Sequence, residues 1–391
     1  MPPHTKDVNM NRRHLAAIGL AGALALAACG SDDEPADDPV TTEAAPADTE
    51  AMEEEAPVDT EAMEEEAPVD TEAMEEEAPT DTEAMEEGAM EEVPADWPES
   101  IVFTLTPSQE TGGLIETAQP LADMLADELG IGVEALVPSD YAGVIVALQS
   151  GQAQVAGGLG PSQMVQAADT AGADLILQAI RFGESQYVTQ WMTNNPDEYC
   201  ADEPVADEDG FLFCNGVADA TGPTDGPIGA DQLAKVSGKT ISFVDQGSTS
   251  GYLIPSLGLL EAGVDPIEDI TPLFAGGHDS SVQAVYDGDA EVGVSFNDAR
   301  GQLVETVPDV GEKVVVFGWS SPIPNDGFAV AGDLPDDLKQ AIADAFVAIA
   351  DTEEGATVLD ELYEIDGLVP VPEGSYDIIR DLETELSDLL G

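Results

Sequence analysis

Apolar residues along the chain switch repeatedly between a short continuous run and a three-and-four spacing, so strands and helices are predicted to take turns. Ile101 to Leu105 is a strand-length apolar run. After the polar loop TPSQETGG, apolar residues recur at Leu114, Ala118, Leu121, Leu125 and Leu129, one face of a helix that Gly130 ends. Val133 to Val137 predicts the next strand, and Ser139 and Asp140 supply caps for a helix through Tyr141, Val144 and Leu148, stopped by Gly151. The strand Ala153 to Ala156 meets GGLGPS, where Pro161 suits the first position of another helix. Further on, GGHDSS precedes a helix, and AEVGVSFNDAR puts Asn297 and Asp298 just past a strand. The last part predicts a strand from Val314 to Phe317, the turn SSPIPNDG, and helices from Leu334 to Ala350 and near Tyr376 to Leu390. Such alternation argues for an α/β fold with glycine-rich turns at strand ends, where open sheets bind ligands.

The segment TISFVDQGSTSGYLIPSLGLL, Thr240 to Leu260, runs from a buried strand through hydroxyls into a helix. The first four amides of a helix lack partners and carry the positive end of its dipole, which favours an oxyanion there. Ser248, Thr249 and Ser250 add three hydroxyl donors, and Gly247 and Gly251 would let a ligand approach the backbone. Pro255 is tolerated if the helix opens near Ser250 or Gly251. The alternative is that the hydroxyls only cap the helix. Two catalytic motifs fail: Thr249 stands where a nucleophile elbow needs serine, and Leu233 stands where a P-loop before Gly238, Lys239 and Thr240 needs glycine.

The ends and the charge change the picture. Lys6, Arg12 and Arg13 precede an apolar run from Leu15 to Ala28, so residues 1–28 predict an export signal. The run closes on Leu26, Ala27, Ala28, Cys29 and Gly30, which resembles the lipobox of bacterial lipoproteins and marks Cys29 for lipidation. Arg12 and Arg13 leave both general and twin-arginine export open. Residues 29–95 are acidic and repeat an eleven-residue unit close to DTEAMEEEAPV, a composition that buries no core and predicts a disordered tether. The chain of 391 residues carries a formal net charge of -71. Few cations means no nucleic-acid partner, because nucleic acid needs clustered Lys and Arg. Cys200 and Cys214, in an exported protein, predict a disulfide around an acidic loop, and without nearby histidines they make a poor metal site.

Taken in order, FTLTPSQ, QPLADMLADELGIGVE, SDYAGVIVALQSGQAQVAGGLGP, FVDQGSTSGYLIPS, GGHDSSVQAVYDGDAEVGVSFNDAR and SPIPNDG resemble the substrate-binding proteins of phosphate, phosphite and phosphonate ABC transporters. The likeness spans about Ile101 to Leu386, apart from the Cys200 to Cys214 insertion. It implies a type II periplasmic-binding-protein fold, two α/β lobes joined by two crossover strands with the ligand between them. The first lobe would comprise 96–190 and 318–391, including the final helix, and the second 191–317. It also implies that Ser248, Thr249 and Ser250 hold the phosphonyl oxygens, with Tyr141, Tyr187 and His278 facing them. Asp298, after Asn297, falls where the family often has an acidic residue, which would accept a hydrogen bond from a P–OH. Gly157 and Gly158 stand where relatives often have bulkier residues, which puts the pocket's size in question.

The function implied is a lipid-anchored, monomeric, extracytoplasmic binding protein that needs no cofactor and passes a small phosphorus oxyanion to a permease and its ATPase. A sensor or scaffold on the same fold is the alternative. A phosphoester-processing enzyme is disfavoured by the failed motifs and by the lack of a paired nucleophile and base.

Overall fold

The computed structural model describes residues 93–109 and 111–390. The predicted signal, Cys29 and the acidic repeats lie outside the described residues.

Two mixed sheets carry the fold. The first sets side by side Gly367–Pro370, Asp174–Ile180, Gly327–Val330, Val155–Leu159, Ser100–Leu105 and Gly132–Leu136. Ser100–Leu105 runs parallel to both its neighbours, with Phe103 opposite Ala135 on one side and Val155 on the other. Gly327–Val330 enters antiparallel, because the chain has been away to build the second sheet and returns from the opposite end. The apolar face predicted on the helix Thr111–Leu129 is buried against this sheet with the helix Asp336–Ala350, and Phe103 meets Phe346 edge to face at 5.6 Å.

The second sheet lies wholly between those two visits. Its order is Thr271–Phe274, Thr240–Phe243, Val292–Phe296, Thr189–Thr193, Val315–Trp319, Leu212–Phe213 and Val205–Ala206. Thr189–Thr193 is antiparallel to both neighbours and buried throughout, so Trp191 and Met192 pack on opposite faces. The last two strands belong to the loop that a Cys200–Cys214 disulfide closes, and Phe213 pairs with Val316 to dock it on the sheet edge. Two strands connect the lobes: Gln186–Tyr187 leads out, Ile323–Pro324 leads back, and they pair antiparallel with Tyr187 opposite Ile323.

Three elements differ from the sequence reading. The strand expected at Ala153 to Ala156 runs instead from Val155 to Leu159 and takes in both glycines. A helix, Glu353–Tyr363, occupies a stretch for which no element was predicted. The final helix, Asp377–Leu390, does not belong to the first lobe alone. Tyr376 and Ile379 pack where the lobes meet, while Leu382 and Leu386 join Trp191 and Leu259 in the second lobe's core. Amphipathic spacing fixes which face of a helix is buried but not which lobe receives it.

Candidate functional site

The helix of the serine-threonine segment begins a residue or two earlier than its proline suggested. Ser248 is the cap: its Oγ accepts the Gly251 N–H at 3.0 Å, and its own N–H donates to the Asp245 carbonyl. Helical structure then starts at Thr249, not at Ser250 or Gly251, because the first turn is a wide π-turn in which the Leu253 N–H donates to the Ser248 carbonyl. In that geometry Pro255 would have bonded to Ser250, and it has no N–H to give. The freed Ser250 carbonyl instead accepts the Thr189 hydroxyl at 2.9 Å. The two flanking glycines serve the protein rather than a ligand. A Cβ on Gly251 would meet Val244 at 2.4 Å, and one on Gly247 would meet Tyr141 at 3.0 Å.

Ser248, Thr249 and Ser250 are buried and face a small cavity between the lobes, with room for roughly two or three waters. Tyr141, Tyr187 and His278 share its wall, so the structure brings six of the seven predicted ligand-binding residues together. Tyr141 opens the helix capped by Asp140, whose carboxylate accepts the Gly143 N–H. Its hydroxyl neighbours Ser248, and that of Tyr187 neighbours Ser250. Burial pushes both phenols up in pKa, so they remain protonated donors. The lobes are closed over this space: the Ser162 N–H donates to Thr249 Oγ1 at 2.8 Å, and the His278 N–H to the Ser108 carbonyl at 2.9 Å.

His278 starts its helix and acts as a neutral donor. Its Nδ1 accepts the Phe296 N–H at 3.3 Å and lies 3.0 Å from Ser295 Oγ, which leaves the ring proton on Nε2. Burial, reinforced by the positive charge of Arg181, lowers its pKa to about 3. The ring therefore offers a hydrogen bond without a charge.

Asp298 is not in the cavity. Its carboxylate accepts from Gln190 Nε2 at 2.7 Å and is clamped by the buried guanidinium of Arg300, with Nη2 at 2.5 Å. Asn297 is likewise spent on the Val188 N–H at 3.0 Å. The acidic residue facing the cavity is Asp326, the aspartate of SPIPNDG. Burial lifts its pKa to about 6, against the pull of Arg181 and with a further push from Glu364. Arg181 adds to the hydroxyl donors a charge that the sequence reading did not place in the site. Its guanidinium lines the cavity, pairs with Glu364 at 2.6 Å and stands 4.6 Å from the Phe296 ring centroid.

Tyr363, from the unforeseen helix, completes the wall and donates to the Thr106 carbonyl at 2.9 Å. It also explains the glycines that had put the pocket's size in question. A Cβ on Gly158 would sit 2.3 Å from the Tyr363 ring, and one on Gly157 would strike Phe328 and Phe103. Gly158 has φ +62, which a side chain would strain as well. The space saved by the glycines is filled by aromatic rings.

Two lobes closed over a buried, donor-lined cavity define a solute-binding protein of the two-lobed periplasmic type. The chain belongs to the family of ABC-transporter phosphonate periplasmic substrate-binding proteins, whose sequence profile matches residues 103–376. The phosphate-import protein PhnD of Mycolicibacterium smegmatis is 29% identical over 300 residues, covering 73% of this chain and 85% of that protein. The phosphonates-binding periplasmic protein of Escherichia coli is 24% identical, covering 62% and 64%. Among solved structures, PhnD1 of Prochlorococcus marinus in complex with methylphosphonate superposes with a TM-score of 0.61, at 16% identity over 74% of this chain and 99% of that one. A binding protein component of an ABC phosphonate transporter from Pseudomonas aeruginosa gives 0.60, at 22% identity over 75% and 87%. These two share the type II periplasmic-binding-protein fold with this chain. The chain is thus the extracytoplasmic solute-binding component of an ABC importer, working with a permease and an ATPase, and not an enzyme.

Proposed function

We propose that the cavity captures a small phosphorus oxyanion, a phosphonate, phosphite or phosphate, as the lobes close. The observation that carries this reading is the convergence of Ser248, Thr249, Ser250, Tyr141, Tyr187 and the Nε2–H of His278 on one cavity too small for a large solute. Uncharged donors in a dry, low-dielectric space hold an anion better than they would in water, and closure excludes the water. Relatives that import phosphate and bind methylphosphonate support the same ligand class. Calorimetry on the purified chain, stripped of copurified ligand by unfolding and refolding, is expected to show one phosphorus compound bound per chain among phosphite, phosphate, methylphosphonate and 2-aminoethylphosphonate, with sulfate silent. Silence from all four phosphorus compounds would refute the reading.

The chain is further proposed to be exported, lipidated on Cys29 and held to the membrane as a monomer by a tether of residues 29–95. The lipobox and the repeats support this. Metabolic labelling with a fatty acid should mark the natural chain and not Cys29→Ala, which should be released to the medium. Equal labelling of both would exclude that cysteine, and a sedimentation mass of two chains would exclude the monomer.

A further inference from the structure

Arg300 has no exposed surface, and each of its three guanidinium nitrogens donates. Nε and Nη2 hold the two carboxylate oxygens of Asp298 as a fork, which needs the planar guanidinium. Nη1 sends one proton to the Val314 carbonyl at 2.7 Å and the other to the Leu212 carbonyl at 3.0 Å. The rings of Phe211 and Phe213 lie against the same group, with centroids 4.8 and 4.5 Å from Cζ. Phe211, Leu212 and Phe213 all belong to the loop that the Cys200–Cys214 disulfide closes. A loop docked on the edge of the second sheet therefore supplies much of the seat of a buried cation.

Asp298 passes that constraint inward along three routes. Its Oδ1 accepts from Gln190 Nε2, and the preceding residue, Thr189, donates its hydroxyl to the Ser250 carbonyl. Asn297, its neighbour in the chain, accepts the Val188 N–H directly after Tyr187 of the outgoing crossover. The same Oδ1 accepts the Arg300 N–H and so caps the short helical turn Ala299–Leu303, whose Gln302 lines the cavity. Ser250, Tyr187 and Gln302 are thus cavity-wall residues on elements that one guanidinium ties together, although Arg300 stands outside the wall. We propose that Arg300 is a positioning residue for the oxyanion cavity and that the disulfide-closed loop is part of its seat, so that the loop sets affinity without touching the ligand. This role rests on the oxyanion reading of the cavity. A supporting shell displaced by about 1 Å can cost a site on the order of 100-fold, so the effect is large enough to measure.

Arg300→Lys keeps the charge, but a single ammonium cannot fork Asp298 and also reach both carbonyls. It is expected to lose at least about tenfold in affinity for whichever of phosphite, phosphate, methylphosphonate and 2-aminoethylphosphonate the natural chain binds, titrated at a temperature where thermal unfolding shows it fully folded. Cys200→Ser with Cys214→Ser opens the loop and should lose about threefold or more under the same conditions. The combination is diagnostic: if both changes act through one guanidinium, the open loop should take nothing further from a chain that already carries Arg300→Lys. A role in stability alone would lower the melting temperatures and leave both affinities intact. Full affinity in the folded Arg300→Lys, or in the chain with the open loop, therefore overturns the proposal. So does a loop effect that persists undiminished beside Arg300→Lys, because it would reach the cavity by another route. If Arg300→Lys does not fold, the open loop decides alone. Silence from all four compounds in the natural chain overturns the oxyanion reading and this role with it.

Discussion

Alanine at Ser248, Thr249 and Ser250 together should weaken oxyanion binding by at least about 1000-fold. A hydrogen bond to a charged group contributes about 1.5–3 kcal/mol, and about 1.4 kcal/mol is one decade of affinity, so losing two or three such bonds reaches that figure. The three positions are not equivalent for folding. Ser248→Ala also removes the helix cap to the Gly251 N–H, at about 1 kcal/mol, and Thr249→Ala removes the oxygen that the Ser162 N–H reaches across the cleft. The triple variant should therefore melt somewhat below the natural chain even when empty. Ser250→Ala separates the two roles, because the backbone carbonyl of Ser250, not its hydroxyl, carries the structural bond to Thr189. It should lose at least tenfold in affinity with an unchanged melting temperature. Calorimetry and thermal unfolding on the same samples decide the matter: full binding by Ser250→Ala would sink the cradle, and a large drop in its melting temperature would make it a structural residue.

The strand-and-helix order of the first lobe was legible because its faces are simple. The helix Thr111–Leu129 buries one stripe, and the strand before it is a continuous apolar run. That Ser248 to Ser250 line a cavity was legible for a different reason, since three hydroxyls between glycines exceed what one helix cap needs. What failed was everything set by partners distant in sequence. Asp298 looked available because its clamp, Arg300, acts only through the folded geometry of that turn, and Gln190 reaches it from another strand. Asp326 was quoted in its motif, yet nothing local shows that it lines the cavity. The glycines at 157 and 158 left the pocket's size in question because the rings that pack over them come from Phe328, Phe103 and Tyr363. Arg181 had one legible signal: it is the first basic residue after Arg13 in a chain with 81 acidic ones, and it stands beside a predicted crossover.

Loss of Arg181 should be costly to the fold. It is buried, and it faces two carboxylates, Glu364 through an ion pair at 2.6 Å and Asp326 through the field alone. Arg181→Met keeps much of the apolar stem but leaves both acids uncompensated, which for a buried pair costs about 3 kcal/mol. The pH dependence identifies the cause. Arg181 holds down the pKa of both acids, so without it both folded-state values rise further above those of the unfolded chain. A group with a raised folded-state pKa costs nothing below its unfolded value, and its penalty grows as pH climbs through the folded value. The deficit of Arg181→Met against the natural chain should therefore be large at pH 7 and small near pH 4. Taking the difference between the two proteins removes most titrations common to both. Urea unfolding at the two pH values measures it, and a deficit that stays constant would mean that Arg181 acts by packing on Phe296 rather than by charge. At pH 7 the same variant should also bind the oxyanion more weakly, since the one cation in the cavity wall would be gone and Asp326 would remain.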